Sequence, residues 1–493
     1  MRKLQILLNE LRKLRVQIRL VDDQLKINAP NGVLTPTHLK NIKENKAEII
    51  AYLSSASKEI YRPIRRVSEM ENYALSNSQK RLWVLSQFDG QSVAYNISSL
   101  YRMKGLLNTN ALTIAINHLV ERHESLRTVF VLDDGEPRQS IKSIEEAGIE
   151  LVIHDLRSVP EAEYHALNNA KEISMEQFDL ENGPLFRVEI FQVSDSVSIL
   201  LCAIHHIISD EWSMQVMVRE IKRFYNAVVD GKDIDLRELP IQYKDYAAWQ
   251  QEEIADDKMK EHKDYWLSHF RGELPVLNLT TDYSRPVIST HKGAYLRRKC
   301  APAQFHKFQQ LLQQMQATVF MGVISLVNIL LYRYSGQSDL IIGTPIAGRE
   351  HPDLDEQIGF YVNTLAFRNK INTNDSFLDV LEHAKQIIIQ GFNHQSYPFD
   401  LLVDELGIKR DPVRSPLFDV MVVLHGAGEN STENLAFKGI EFERIQLEDV
   451  VSKFDLTFYF EKCNDALQIE IEYNTDIFNR TRIERMMDHL QAL

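Results

Sequence analysis

The chain is poor in the residues that cross-link a protein or carry it through a bilayer. Three cysteines, Cys202, Cys300 and Cys463, lie scattered through 493 residues with no CxxC pair. That excludes a disulfide framework and a thiolate zinc site, and makes a reducing cytoplasm the expected compartment. Long apolar runs are also missing. The longest, Val319 to Tyr332, has 14 residues and contains Ser325 and Asn328, whereas a membrane span needs about 20. It reads as a buried core helix. The opening MRKLQILLNELRK mixes charges into its apolar positions and has no uninterrupted hydrophobic stretch, so no export signal is expected there. With only 19 glycines and 15 prolines, 44% apolar and 25% charged residues, collagen-like, low-complexity and wholly disordered chains are excluded. At roughly 150 residues per domain, a chain of this length should hold more than one folding unit.

Charge of one sign is concentrated at the start. Residues 1–58 hold eleven Lys and Arg against five Asp and Glu, a balance of +6, leaving −19 for the rest of a chain whose total is −13. A separate first unit with an acidic partner follows. Nucleic acid is disfavoured as that partner, because Tyr52 is the only aromatic in the segment and base-stacking platforms need several.

Leu4, Leu7, Leu8, Leu11 and Leu14 recur at helical spacing. Val16, Ile18 and Leu20 then alternate with polar residues, Asp22-Asp23-Gln24 supplies turn chemistry, and Leu25, Ile27 and Ala29 alternate again, which predicts a β-hairpin. Asn31-Gly32 breaks the chain, and Thr35-Pro36 starts a second helix with the stripe Leu39, Ile42, Ile49, Ile50, Leu53. So small a unit gains stability by self-association or by clamping a partner. The pattern and its APNGVLTP link resemble the N-terminal docking domains of modular peptide synthetases named after the tubulysin assembly line. The resemblance implies strand addition of an acidic C-terminal peptide from an upstream synthetase, with Arg15, Arg19 and Lys26 as pairing cations, and admits a docking-domain homodimer. A basic helical cap with no partner is the plainer alternative.

The chemistry-bearing residues stand where a strand meets a helix. Val197 to Ile204 is a near-continuous apolar run of strand length, leading into His205-His206-Ile207-Ile208-Ser209-Asp210. Beyond it Met214, Met217, Ile221, Phe224 and Val228 form a helical stripe ending at Gly231. An imidazole at the end of a rigid strand is well placed to move a proton, since its ordinary pKa of about 6.5 leaves it neutral yet basic near pH 7. Paired histidines are as readily a structural hydrogen-bonding group, and Asp210 or Ser209 is equally a helix N-cap. Adjacent histidines point apart and no third ligand follows, which disfavours zinc.

The arrangement HHxxxD followed by Glu211-Trp212-Ser213 resembles the core motif of condensation domains of nonribosomal peptide synthetases, of the chloramphenicol acetyltransferase-like superfamily. Six further segments match in order: Ser76 to Trp83 (SxxQxRLW), Arg122 to Phe130 (RHExLRTxF), Tyr243 to Gln250 (YxDYAxWQ), Ile342 to Thr364 (IGxPxAGR…IGFxVNT), His394 to Phe399, and Arg410 to Asp419. What the resemblance implies is an α/β fold of two acetyltransferase-like lobes in a V-shaped pseudo-dimer, behind a small αββα-type docking domain. The expected boundaries are 1–56 for docking, 57–71 for a linker, 72–238 for the N-lobe and 239–493 for the C-lobe. The segment Gly426 to Thr432 is expected in the element crossing between lobes, and an adenylation domain is expected to follow MMDHLQAL.

It further implies amide formation between two carrier-bound substrates. Phosphopantetheine arms of upstream and downstream peptidyl carrier proteins enter a tunnel from opposite faces, with no permanently bound cofactor, metal, nucleic acid or membrane involved. By resemblance His206 orients or deprotonates the acceptor amine, His205 supports it, and Asp210 is ion-paired to an arginine, Arg349 first and Arg127 second. Glu211, Trp212, Ser213, Gly343 and Asn363 are assigned to the tunnel, although for Asn363 a structural hydrogen bond is the stronger reading. Trp83, Tyr246, Trp249, Phe360, Tyr397 and Phe418 are expected in the core or between lobes. One departure stands out: the family's usual glycine after the motif aspartate is Glu211 here. Related non-condensing platform domains share an acidic residue there but lack the second histidine. Epimerisation domains share the double histidine, but their other motifs fit this chain less well.

Overall fold

The computed structural model describes residues 17–21, 24–28, 43, 46, 63–87, 92–234, 238–287, 290–408, 414–426, 437–445, 450–463 and 465–493. The chain divides into two compact units, Met1–Ile64 and Arg65–Leu493. In the first, β1 (Gln17–Val21) and β2 (Gln24–Asn28) pair antiparallel with Ile18 opposite Ile27 and Leu20 opposite Leu25. This is the hairpin expected from the alternation. Of the two flanking helices only Lys43 and Lys46 are described, both helical, and Arg15 lies outside the described residues.

The second unit is α/β with two lobes. Its first half supplies β3 (Asn72–Ala74), β4 (Asn96–Lys104), β5 (Thr128–Asp133), β6 (Glu136–Ile141), β7 (Leu151–Asp155), β8 (Phe186–Ser194) and β9 (Val197–His205). Its second half supplies β10 (Lys292–Lys299), β11 (Asp339–Ile346), β12 (Asn363–Lys370), β13 (Val420–His425), β14 (Glu441–Ile445), β15 (Val450–Val451), β16 (Leu456–Cys463) and β17 (Ala466–Asn474). Among the described residues the C-lobe sheet runs β12-β11-β13-β16-β17-β10-β15, the N-lobe sheet β14-β4-β9-β8-β7, and a small sheet β3-β6-β5 stands beside it. The strand β14, from the second half of the sequence, therefore completes the N-lobe sheet, pairing Phe442 with Met103. Gly426 is described; the rest of the expected crossing segment, 427–432, is not.

Each lobe has its own apolar core. In the N-lobe the helices Thr109–Arg122 and Glu211–Val229 bury Leu112, Leu119, Met217 and Phe224 against Ile190, Leu200 and Ile204 of β8 and β9. In the C-lobe the helix Val319–Ser335, starting at the Thr318 capping box and ending at Gly336 with φ 69°, buries Ile324, Val327 and Leu331. It is the core helix expected from the 14-residue run, and among the described residues no single helix is long and apolar enough to cross a membrane. Tyr246, Phe360, Tyr397 and Phe418 are buried, while Trp83 and Trp249 are only partly so.

Candidate active site

β9 lies inside the N-lobe sheet, flanked by β4 and β8, and its last residue opens a short 3-10 turn, His206–Ile208, closed by Ser209 N–H donating to His206 O at 3.2 Å. Asp210 then caps the helix Glu211–Val229, accepting from Ser213 N at 2.7 Å. The apolar run forces the strand into the core, and the cap reverses the chain, so the two imidazoles are delivered to opposite environments.

His205 is wholly buried, with Nδ1 accepting from Ile207 N–H at 3.2 Å and Phe178 edge-on to its ring at 6.1 Å. Burial pulls its pKa down to about 3, helped by His206 and Lys453. It is a packed, neutral support. His206 instead lines a cavity of about 1840 Å³ whose walls come from both lobes. Its Nδ1–H donates to Ser209 O at 2.8 Å and Phe360 stands edge-on at 4.8 Å. With the proton fixed on Nδ1, the neutral ring carries its lone pair on Nε2. The surrounding protein, and next Lys453, pull this imidazole down to about 3 as well, so it stays neutral through the physiological range.

Asp210 is paired with Arg349, Nη2 to Oδ1 at 3.1 Å, with both side chains at most 3% exposed. Arg349 also donates to Ser213 Oγ at 2.8 Å and to the carbonyls of Gln357, at 2.8 Å, and Leu354, and lies 4.1 Å over the Tyr361 ring. Asp210 Oδ2 accepts Tyr361 N–H at 3.0 Å. The pair thus fastens the turn after β9 to the segment before β12. Arg127 is elsewhere: it donates to Lys142 O at 2.6 Å and approaches Glu124 at 3.8 Å.

The residues assigned to the tunnel divide. Glu211 lines the cavity 3.5 Å from His425 Nδ1, more than half exposed. Asn363 lines it too, but its amide donates to Gln395 O and Tyr397 O, both at 2.9 Å, and accepts from Phe399 N and Thr364 N at 3.0 and 2.9 Å. Its capacity is used in holding the loop before residue 399. Ser213 is fully buried beside Asp210, its hydroxyl 2.6 Å from Oδ1 and 2.8 Å from Gly359 O. Trp212 is off the cavity wall and donates to Asp355 O at 3.0 Å. Gly343 sits in the C-lobe sheet where a Cβ would come within 2.2 Å of the Phe418 ring; it makes room for packing, not for substrate. These three share a motif with wall residues but face the other way. In the first unit, the register sets Arg19 opposite Lys26.

Sequence reasoning did not single out Lys453 or the pairing of Arg81 with Asp400 (3.1 Å), all three on the cavity wall. Lys453 stands between Ser452 and Phe454 in the short link from β15 to β16, and nothing local in the sequence marks it as a wall residue.

Residues 69–493 match the family model described as Condensation domain, and residues 5–55 match TubC N-terminal docking domain. The chain belongs to the condensation domain family. It is 36% identical over 468 residues to Bacitracin synthase 3 of Bacillus licheniformis, covering 94% of this chain and 7% of that protein. With Tyrocidine synthase 3 of Brevibacillus parabrevis it shares 37% identity over 443 residues, covering 90% of this chain and 7% of the relative. The chain thus spans less than a tenth of the length of these curated relatives. Among solved structures, the X-domain from teicoplanin biosynthesis superposes with a TM-score of 0.79 at 22% identity, over 87% of this chain and 97% of that one. The first condensation domain of the CDA synthetase gives 0.68 at 18%, over 86% and 96%. These likenesses establish that the chain has the fold of those domains.

Proposed function

We propose that this condensation domain forms an amide between a carrier-bound donor aminoacyl or peptidyl thioester and a carrier-bound acceptor amino acid in nonribosomal peptide synthesis, in the cytoplasm, with its first unit docking to an upstream synthetase. The observation that carries this reading is His206: Nδ1 pinned to Ser209 O, and the ring on the wall of a cavity lined by both lobes. Phosphopantetheine arms of two carrier proteins are long, thin substrates, and a cavity this large suits their meeting. Attack of an amine on a thioester is downhill, so the main need is to hold the two ends together, which for well-oriented partners is worth up to about 7–11 kcal/mol. Nε2, neutral and lone-paired, accepts an N–H of the acceptor amine and aims its nitrogen at the thioester carbon. The low basicity of the ring favours orienting and passing on a proton over storing one. Upstream and downstream peptidyl carrier proteins are the partners this reading requires.

The test is mass spectrometry of products from donor and acceptor carrier proteins loaded with a panel of defined amino acids. Amide product is expected from wild type, with His206→Ala slower by about 10²–10⁴ at an unchanged thermal midpoint. Carrier binding without product for every pair would leave a platform domain instead, and full turnover by His206→Ala would remove the role given to the ring.

A further inference from the structure

We propose that Lys453 is the cation that receives the donor thioester's carbonyl oxygen as it gains negative charge, on the side of the reacting carbon away from His206. The inference rests on the amide-forming reading and adds a residue to it.

Lys453 lies between β15 and β16 of the C-lobe sheet and faces the shared cavity, with its side chain open to that space. Its Nζ stands 4.7 Å over the Tyr95 ring. Tyr95 immediately precedes β4, whose register with β9 sets Asn96 opposite His205, so the next residues on each strand, Tyr95 and His206, come to the same end of the pair. A lysine from one lobe is thereby held beside the imidazole of the other. Among the described residues no carboxylate comes within ion-pair distance of Lys453 and no hydrogen bond engages its ammonium. Of the nearby acids, Asp400 pairs with Arg81 at 3.1 Å and Asp455 with Arg285 at 2.8 Å, while Glu472 accepts from the Tyr459 hydroxyl at 3.4 Å and acts on Lys453 only from beyond ion-pair distance. Three donors with no acceptor, facing a reaction cavity, are suited to an oxygen that arrives with the substrate. Its charge is felt at the site, where it helps to lower the pKa of both His205 and His206.

The step balances with these two groups. The acceptor nitrogen's lone pair forms the C–N bond while the carbonyl π pair moves onto oxygen, held against Lys453. Collapse restores the carbonyl and breaks the C–S bond, whose pair leaves on sulfur. The proton lost from nitrogen passes by way of His206 Nε2 to the thiolate.

Surrounding protein lowers the Lys453 pKa to about 8, with Arg81 also lowering it and Glu472 opposing. The charge is therefore present below pH 8 and lost as pH rises through it, so the wild-type rate should fall on that alkaline side. Tyr95, Arg81, Asp400, Glu472, His291 and His206 all line this cavity, while His205 is buried off its wall. Glu472, raised to about 7 by burial and held down in part by Lys453, is pushed further up in Lys453→Met but keeps a facing cation in Lys453→Arg, so an alkaline limb that disappears in Lys453→Arg belongs to Lys453.

The experiment measures single-turnover amide formation from pH 6 to 10, using the pair of aminoacyl carrier proteins that wild type turns over fastest. Removing one such donor commonly costs about 10²–10³ in rate. Lys453→Met should lose at least tenfold with carrier KM little changed, and Lys453→Arg should keep more activity while losing the alkaline limb. Lys453→Met within twofold of wild type, or the same limb in Lys453→Arg, overturns the inference while leaving amide formation intact. If Lys453→Met does not fold, the limb in Lys453→Arg decides. A wild type that forms no amide from any pair overturns the amide-forming reading, and this inference with it.

Discussion

Asp210 shows how one side chain can serve a helix and a lobe junction together. Oδ1 takes the Ser213 N–H at 2.7 Å and Arg349 at 3.1 Å, while Oδ2 takes Tyr361 N–H at 3.0 Å. Both the cap reading and the ion-pair reading of this residue hold, because a carboxylate has enough lone pairs for both. Truncation leaves the Arg349 guanidinium, 2% exposed, without its counter-charge, a loss worth about 3–5 kcal/mol when one partner of a buried pair is removed. Asp210→Ala should show that drop in urea unfolding and give less soluble protein, whereas Asp210→Asn, which keeps the cap acceptor, should lose less. Equal stability of Asp210→Ala and wild type would mean that the pair contributes nothing net. Gly348 has a comparable fixed role: at φ +64° its missing Cβ leaves room for Tyr361 O, 2.0 Å from where that atom would stand, letting the strand end turn back so that Arg349 reaches Asp210.

At the scale of elements, what could be read in advance follows how local the cause is. The apolar run of β9, the stripe of the helix after it, the Val319–Ser335 core helix and the β1–β2 hairpin each arise from neighbouring residues, so periodicity alone reveals them. The placement of β14 does not. Its partner β4 lies more than 300 residues earlier, Glu441 pairing with Lys104, and nothing local in EFERI marks its lobe. Likewise Lys453 meets Tyr95 only across the lobes, a contact that no local pattern foretells, and Ser213 and Trp212 turn away from the cavity because helix geometry rotates each successive residue. Motif membership identifies a neighbourhood, not a direction. The crossing element makes its own prediction. Phe437 is 4% exposed, stacks on Tyr225 at 4.7 Å and meets Phe442 edge-on at 4.8 Å. Phe437→Ala should cost about 3–5 kcal/mol, as large-to-small changes in cores do. Although the residue belongs to the second half of the sequence, the loss should appear as faster amide exchange in β4. Protection unchanged in β4 would mean that the N-lobe sheet holds without its borrowed strand.

For the whole molecule the uneven charge matters most. Residues 1–58 carry +6 against −19 for the remainder, and in the first unit β1 and β2 form a two-stranded sheet among the described residues, with Arg19 opposite Lys26 in register. A sheet edge offers backbone donors and acceptors to an incoming strand, and the basic composition selects an acidic one. Backbone pairing is little affected by salt, whereas exposed charge pairs are screened over a Debye length of about 10 Å at 0.1 M. The two contributions can therefore be separated by titrating a short acidic peptide, the partner that the proposed docking role calls for, into the full chain at low and high ionic strength. The double change Arg19→Glu with Lys26→Glu should weaken binding about tenfold or more near 0.05 M salt, the effect of about 1.4 kcal/mol in charge pairing, and the gap should narrow near 0.5 M. The same double variant should leave amide formation from freely supplied carrier proteins unchanged, since that chemistry lies in the cavity of the second unit. A peptide affinity indifferent to salt and to both substitutions would show that the positive charge of the first unit is not what recognises the partner, and would leave strand addition to carry the specificity alone.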